Sequence, residues 1–182
     1  MNQIIIQGIG YLALLCVILS FQKNKRSNIL LYLMLSHVLF ILHFILLHAW
    51  TGVAMNILGA LRAIVFYQKD TKVWAQHPVW MYVFMGAFIV AGLVTWTGLV
   101  TWTNYTPLFP IIAGVMDTFA LWKRSTKSIR LFMLIPRPLW FLYDFLAGSY
   151  AGMTTEVFAF ASVLIGIVRF DILNNKEEVY VK

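Results

Sequence analysis

Cysteine occurs once in this chain, at Cys16, and it falls inside an apolar run. No intramolecular disulfide is available and no cysteine-based metal cluster can be built, so Cys16 reads as an inert packing residue. Charge is also scarce. Asp, Glu, Lys and Arg make up 12% of 182 residues, about half the share of a soluble domain. There is no HExxH, no Cys–His pair and no glycine-rich phosphate loop, which removes the usual grounds for expecting an enzyme. A membrane-embedded hydrolase built on Asp144 and Glu156 has no second supporting feature. No Lys or Arg precedes the first apolar run, MNQIIIQGIG, so a cleaved signal peptide is not expected.

Hydrophobic residues, at 61%, are what the chain has in abundance. They form seven apolar segments, roughly Ile4–Phe21, Ile29–Leu47, Trp50–Tyr67, Val79–Leu99, Pro107–Trp122, Leu131–Ala147 and Gly152–Phe170. At about 1.5 Å per residue most of these reach across a bilayer core of about 30 Å, the fifth and sixth being short. The expectation is an all-α membrane protein with a single transmembrane domain, residues 1–182. Two connections, around His48 and around Ser149, are tight enough to force antiparallel neighbours.

The excess of basic residues follows the connections. Lys23, Lys25 and Arg26 lie between segments one and two, Lys69 and Lys72 between three and four, and Lys123, Arg124, Lys127 and Arg130 between five and six. The alternate connections, around His48, Thr101–Thr106 and Ser149, carry no Lys or Arg. This alternation predicts an outside N-terminus and a cytoplasmic C-terminus. The net charge of +7 is then a topology signal, and nucleic acid is not an expected partner.

The chain also repeats itself. LHFILLHAWTGVAMN, Leu42 to Asn56, lies without a gap on LYDFLAGSYAGMTTE, Leu142 to Glu156. Asn56 falls on Glu156, His37 on Arg137 and Phe40 on Trp140. Segments one to three and five to seven share an orientation, so the expected repeats, 4–67 and 107–170, are parallel. Segment four, 79–99, has no repeat mate and serves as the inversion linker. It ends in the near-duplicate LVTWTG–LVTWTN, whose Trp96 and Trp102 suit an outer interfacial belt. Residues 171–182 make a short cytoplasmic tail, with no room for a signalling domain. The expected architecture is three plus one plus three helices about an axis along the membrane normal.

That layout resembles the SWEET and PQ-loop superfamily of small transporters. The whole chain is similar to the bacterial inner-membrane YgjV-like family, on QGIGYLA near the N-terminus, the basic turns after Phe21 and Trp122, LHFILL, NILGALR, LFPIIAG, FLAGSYAG, Glu156 and the closing IVRF. The resemblance implies the bacterial inner membrane and a transporter-like function. It also implies an amide-bearing residue on the third helix of each repeat at the solute site, a position that Glu156 changes in the second copy. No Pro-Gln pair occurs in the chain, so the superfamily's proline-hinge mechanism does not carry over.

Ionisable groups inside a bilayer are costly, about 2.5–3.5 kcal/mol each on insertion scales, so they converge on a bundle interior. Two depth layers are expected here. The outer one holds His43, Asn56, Asp144 and Glu156, with Asn56 and Glu156 facing each other across a central cavity as contacts for a solute or a proton. Equally, Glu156 serves only to pair with His43 or to hold helix ends. The inner one holds His37, Arg62, Asp117 and Arg137 as a gate or structural lock, with an Asp117–Arg62 or Asp117–Arg137 ion pair. Pro136 and Pro138 should bend segment six and free carbonyls for the Arg137 guanidinium. Pro110 offers either a hinge or a tolerated kink, and Trp140 with Phe40 either ring stacking on a sugar or helix packing. His37 and His48 share one helix face and cannot sandwich a haem, and no cofactor or metal is expected. The expected function is alternating-access transport of a small polar solute, sugar-like or another metabolite, with proton coupling as one mode. The alternative is a non-transporting assembly, structural or sensing protein on the same scaffold. The bilayer, that solute and further copies of the chain are the expected partners.

Overall fold

A computed structural model describes residues 3–99 and 105–173. The first α-helices are α1 (Gln3–Phe21), α2 (Arg26–Leu46), α3 (Trp50–Gln68) and α4 (Val79–Leu99), with a 3-10 turn Val73–Gln76 before α4. There follow α5 (Leu108–Trp122), α6 (Thr126–Met133), α7 (Pro136–Leu146) and α8 (Tyr150–Gly166), the last running into a π-helical turn, Ile167–Leu173. No strand occurs among the described residues. Trp102 and most of the Thr101–Thr106 connection lie outside the described residues, as do the Trp96 side chain and positions 174–182 of the tail.

Several helices carry an outward stripe of apolar residues. On α2, Leu31, Leu35, Val38, Leu42 and Ile45 form an exposed stripe at helical spacing, while Ser36 and His43 are buried. Soluble helices pattern the other way; here the outer stripe suits lipid and the polar groups must find partners inside. Three helices, Ile4–Phe21, Arg26–Leu46 and Trp50–Gln68, are long and apolar enough to cross a membrane, and Val79–Thr95 and Leu108–Trp122 are shorter apolar helices.

The sixth apolar segment is not one regular helix. It divides into α6 and α7 at Leu134 and Ile135. Pro136 and Pro138 lack the amide hydrogens that would continue the ladder, but both fit the first turn of a new helix, where those donors are unneeded. Segment two, lacking proline, runs unbroken from Arg26 to Leu46. Leu134 and Ile135 keep right-handed helical dihedrals and bond back to Leu131 and Phe132, so the proline pair interrupts the ladder and the segment continues as the bent helix expected.

Local geometry recurs one hundred residues on. Ala49 N–H donates to the Phe44 carbonyl at 3.0 Å and Ser149 N–H to the Asp144 carbonyl at 2.9 Å. The chain reverses at His48 (φ 57°) and Gly148 (φ 70°), the two positive-φ positions among the described residues. Buried positions correspond as well: Gly52, Met55, Asn56, Gly59, Arg62, Ala63 and Phe66 on α3 match Gly152, Thr155, Glu156, Ala159, Ser162, Val163 and Gly166 on α8. Contacts between the halves are reciprocal. Helix α3 packs on α5, and α8 on α1. Arg62 Nη1 donates to Thr118 Oγ1 at 2.9 Å, and Ser162 Oγ donates to the Ile18 carbonyl at 3.0 Å. Positions 62 and 162 thus reach positions 118 and 18. Small residues permit this closeness: a Cβ on Gly166 would lie 2.8 Å from the Phe21 carbonyl oxygen. Helix α4 packs against α3 and α5, with Phe84 edge-on to Phe66.

Basic side chains gather where α1 meets α2, α3 meets α4 and α5 meets α6. Several are already engaged. Arg26 Nη1 meets Asp70 Oδ2 at 2.9 Å and the Phe66 carbonyl at 2.9 Å. Lys69 Nζ donates to the Trp122 carbonyl at 2.6 Å and sits 3.3 Å from the centre of its ring. Buried Arg130 holds Asp171 at 2.6 Å. Arg26 and Arg130 are therefore helical residues that tie elements together, where the sequence placed them in connections.

Candidate functional site

Five helices bring polar side chains to one internal cavity. Its lining includes His37 from α2, Asn56 and Arg62 from α3, Asp117 from α5, Arg137 and Asp144 from α7, and Glu156 from α8. Phe40, Phe44, Phe88 and Trp140 supply aromatic wall. The cavity has a volume of about 60 Å³. That is well short of the roughly 300 Å³ at which sites for drug-sized ligands begin.

Arg137 is the centre of the cluster. Its Nη2 meets Asp117 Oδ1 at 2.7 Å and its Nη1 meets Glu156 Oε2 at 3.0 Å. Trp140 Nε1 donates to the other Asp117 oxygen at 2.9 Å, so both oxygens of that carboxylate are used. All three charged residues are under 10% exposed. The guanidinium thus goes to carboxylates and not to the carbonyls freed by the prolines: a charge-assisted pair satisfies it better than a neutral acceptor. Of the two ion pairs open to Asp117, it makes the one with Arg137. Arg62 turns instead to Thr118 Oγ1 and the Gly114 carbonyl, at 2.9 and 3.3 Å, with its guanidinium 5.1 Å from the Phe88 ring centre.

The first repeat shows the same bond in neutral form. His37 Nδ1 and Asn56 Oδ1 are 2.9 Å apart, and Asn56 Nδ2 donates to the Gly52 carbonyl at 2.9 Å. Since His37 matches Arg137 and Asn56 matches Glu156, each repeat joins the same two positions. The two expected depth layers therefore merge. Counted from the His48 reversal, residue 37 is eleven positions away and residue 56 eight, a depth difference of about 4.5 Å that side chains span. Asn56 and Glu156 both line the cavity, each bonded inside its own repeat.

Two predicted residues behave differently. His43 does not reach the cavity or Glu156: its Nδ1 lies 2.9 Å from the Ile6 carbonyl and its Nε2 3.5 Å from Ser149 Oγ, between α1, α2 and the turn before α8. Asp144 does line the cavity, is 4% exposed, and its Oδ1 has no hydrogen-bond partner. It packs against Gly152, where any side chain would collide with its carboxylate. The Nε groups of Arg62 and Arg137 are likewise unpartnered and buried. His48 lies beyond the end of α2, so it shares no helix face with His37. Among the described residues no group of three or more His, Cys, Asp or Glu could hold a metal.

Thr118, Met55 and Phe88 escaped the sequence reading. Thr118 is four residues from Gly114 on a helix, and nothing in a lone threonine announces an arginine partner from the other half. A second hollow, of about 320 Å³, lies against α7 and α8, lined by Pro138, Phe141, Val157 and Phe160. Arg137 and Glu156 line it too, so this ion pair stands between the crevice and the cavity.

The profile of the Imp-YgjV family, described as bacterial inner membrane protein, matches residues 4–173. The inner membrane protein YgjV of Escherichia coli (strain K12) is 26% identical over 164 residues, which cover 90% of this chain and 83% of that protein. No solved structure matches.

Proposed function

The chain belongs to the Imp-YgjV family of bacterial inner membrane proteins, and we propose that it works there as an alternating-access carrier for a small polar solute. In this reading seven spans form two parallel three-helix repeats, with α6 and α7 as one bent span and α4 as the linker. The arrangement is SWEET-like, with the N-terminus outside and the C-terminus in the cytoplasm. The observation that carries the reading is the cavity itself: charged residues from both halves converge on it, although burying them is costly. Reciprocal contacts between α3 and α5 and between α1 and α8 support a rocking motion of one repeat against the other. We assign no catalytic step.

The Arg137 pairs with Asp117 and Glu156 act in this scheme as the lock of a closed state, which the solute must help to open. The same pairs favour a second reading, a non-transporting scaffold or sensor, because they leave so little free space. A thermal-shift screen of detergent-purified protein against sugars, amino acids, organic acids and amines separates the two. A ligand confined to the folded state adds about 2.7 kcal/mol at a hundredfold excess over its dissociation constant. A carrier gives a hit whose affinity Glu156→Gln alters; silence across the panel favours the scaffold.

A further inference from the structure

The cavity's polar atoms do not balance, and the imbalance has a sign. Arg62 and Arg137 bring two positive charges, and Asp117 and Glu156 two negative ones. Asp144 adds a further carboxylate to the same lining. Its Oδ1 is buried without a hydrogen-bond partner, while both Asp117 oxygens and both Glu156 oxygens have donors from Trp140 and Arg137. The absent side chain of Gly152 makes room for the Asp144 carboxylate itself, as that of Gly52 does for the ring of Phe44, its repeat mate. The matching position in the first half is thus apolar, and repeat symmetry alone does not call for a carboxylate here.

Resting on the carrier reading, the geometry points to Asp144 as the anchor for the ammonium group of a small hydroxylated amine. An ammonium supplies both the missing charge and N–H donors for a buried carboxylate oxygen. Phe40, Phe44 and Trp140 in the same wall offer ring faces to the rest of the cation. A bare alkali or alkaline-earth ion would want about six oxygen ligands, and here the Asp117, Glu156 and Asn56 oxygens are already held by Arg137, Trp140 and His37. The unpartnered Nε–H groups of Arg62 and Arg137 belong to cations already matched in charge. They call for a neutral acceptor, which a hydroxyl provides. The small cavity, about 60 Å³, restricts the occupant to a molecule of few heavy atoms, such as ethanolammonium.

The test measures binding to purified full-length protein by calorimetry and by Trp fluorescence, using ethanolammonium, its neutral isostere ethylene glycol and its anionic isostere glycolate. Ethanolammonium is expected to bind, the two isosteres not, and Asp144→Asn to weaken binding roughly tenfold or more. The isostere series on the unaltered protein decides the matter even if Asp144→Asn does not accumulate. Failure of ethanolammonium to bind, equal binding of ethylene glycol, preference for glycolate, or full binding by Asp144→Asn each overturns the assignment. If a sugar or organic acid binds while ethanolammonium does not, the carrier reading survives and this inference falls. If ethanolammonium binds through Asp144 but the cavity never opens to both sides, the inference stands and the carrier reading falls.

Discussion

Arg137 is held by two carboxylates in a place where all three are buried, and that dependence is mutual. Removing the cation alone leaves two buried negative charges, which costs roughly 3–5 kcal/mol. Arg137→Gln is therefore expected to lower the stability of the detergent-solubilised protein by about that much. Adding Asp117→Asn and Glu156→Gln should recover a large part of the loss, as neutral groups need no counter-ion. Denaturant or thermal unfolding of the single and triple variants checks this, and a triple variant less stable than the single contradicts it. Lys69, just past α3, makes a separate residue-scale case. Burial first, then neighbouring Arg26 and Arg124, push its ammonium down from 10.5 to about 8. Below pH 8 both folded and unfolded chains hold that proton. Between about 8 and 10.5 the unfolded chain binds more protons, so stability should climb with pH across this window. The climb should be absent in Lys69→Met, and identical profiles for the two proteins would refute the assignment.

At the scale of elements, the two reversals make the internal repeat testable. His48 and Gly148 occupy the same left-handed backbone position, which costs a side chain roughly 1–2 kcal/mol and glycine almost nothing. Gly148→Val should therefore destabilise by about that amount, and His48→Gly should be neutral or stabilising; the opposite order in a thermal melt would refute the equivalence. Much at this scale was legible in the sequence. The ends of α2 and the start of α3 fell within a few residues of the apolar periodicity, and the repeat register of one hundred was readable from LHFILLHAWTG and LYDFLAGSYAG. The bend between α6 and α7 was legible: the prolines announced it. Where the freed carbonyls find partners is a tertiary matter. Partner choice was the least legible. Asp117 had two arginines at similar depth, and only packing decided for Arg137. His43 looked like a cavity residue by depth, yet its helix face turns it to Ile6.

For the whole molecule, the inverted surface, apolar outside with charged groups within, marks a bilayer protein of the family it belongs to. The charge cluster inside could either hold the bundle shut or open by turns to the two sides, and its contents alone are compatible with both. The two accounts differ in who can reach Ser36, a buried cavity residue beside His37. In a Cys16→Ser background, Ser36→Cys is labelled with a small membrane-impermeant thiol reagent in right-side-out and inside-out vesicles. Alternating access predicts labelling from both faces, with one face favoured once solute is bound. A cysteine reached from one face only, or from neither under every condition, would contradict the carrier account and leave the cluster as a structural core.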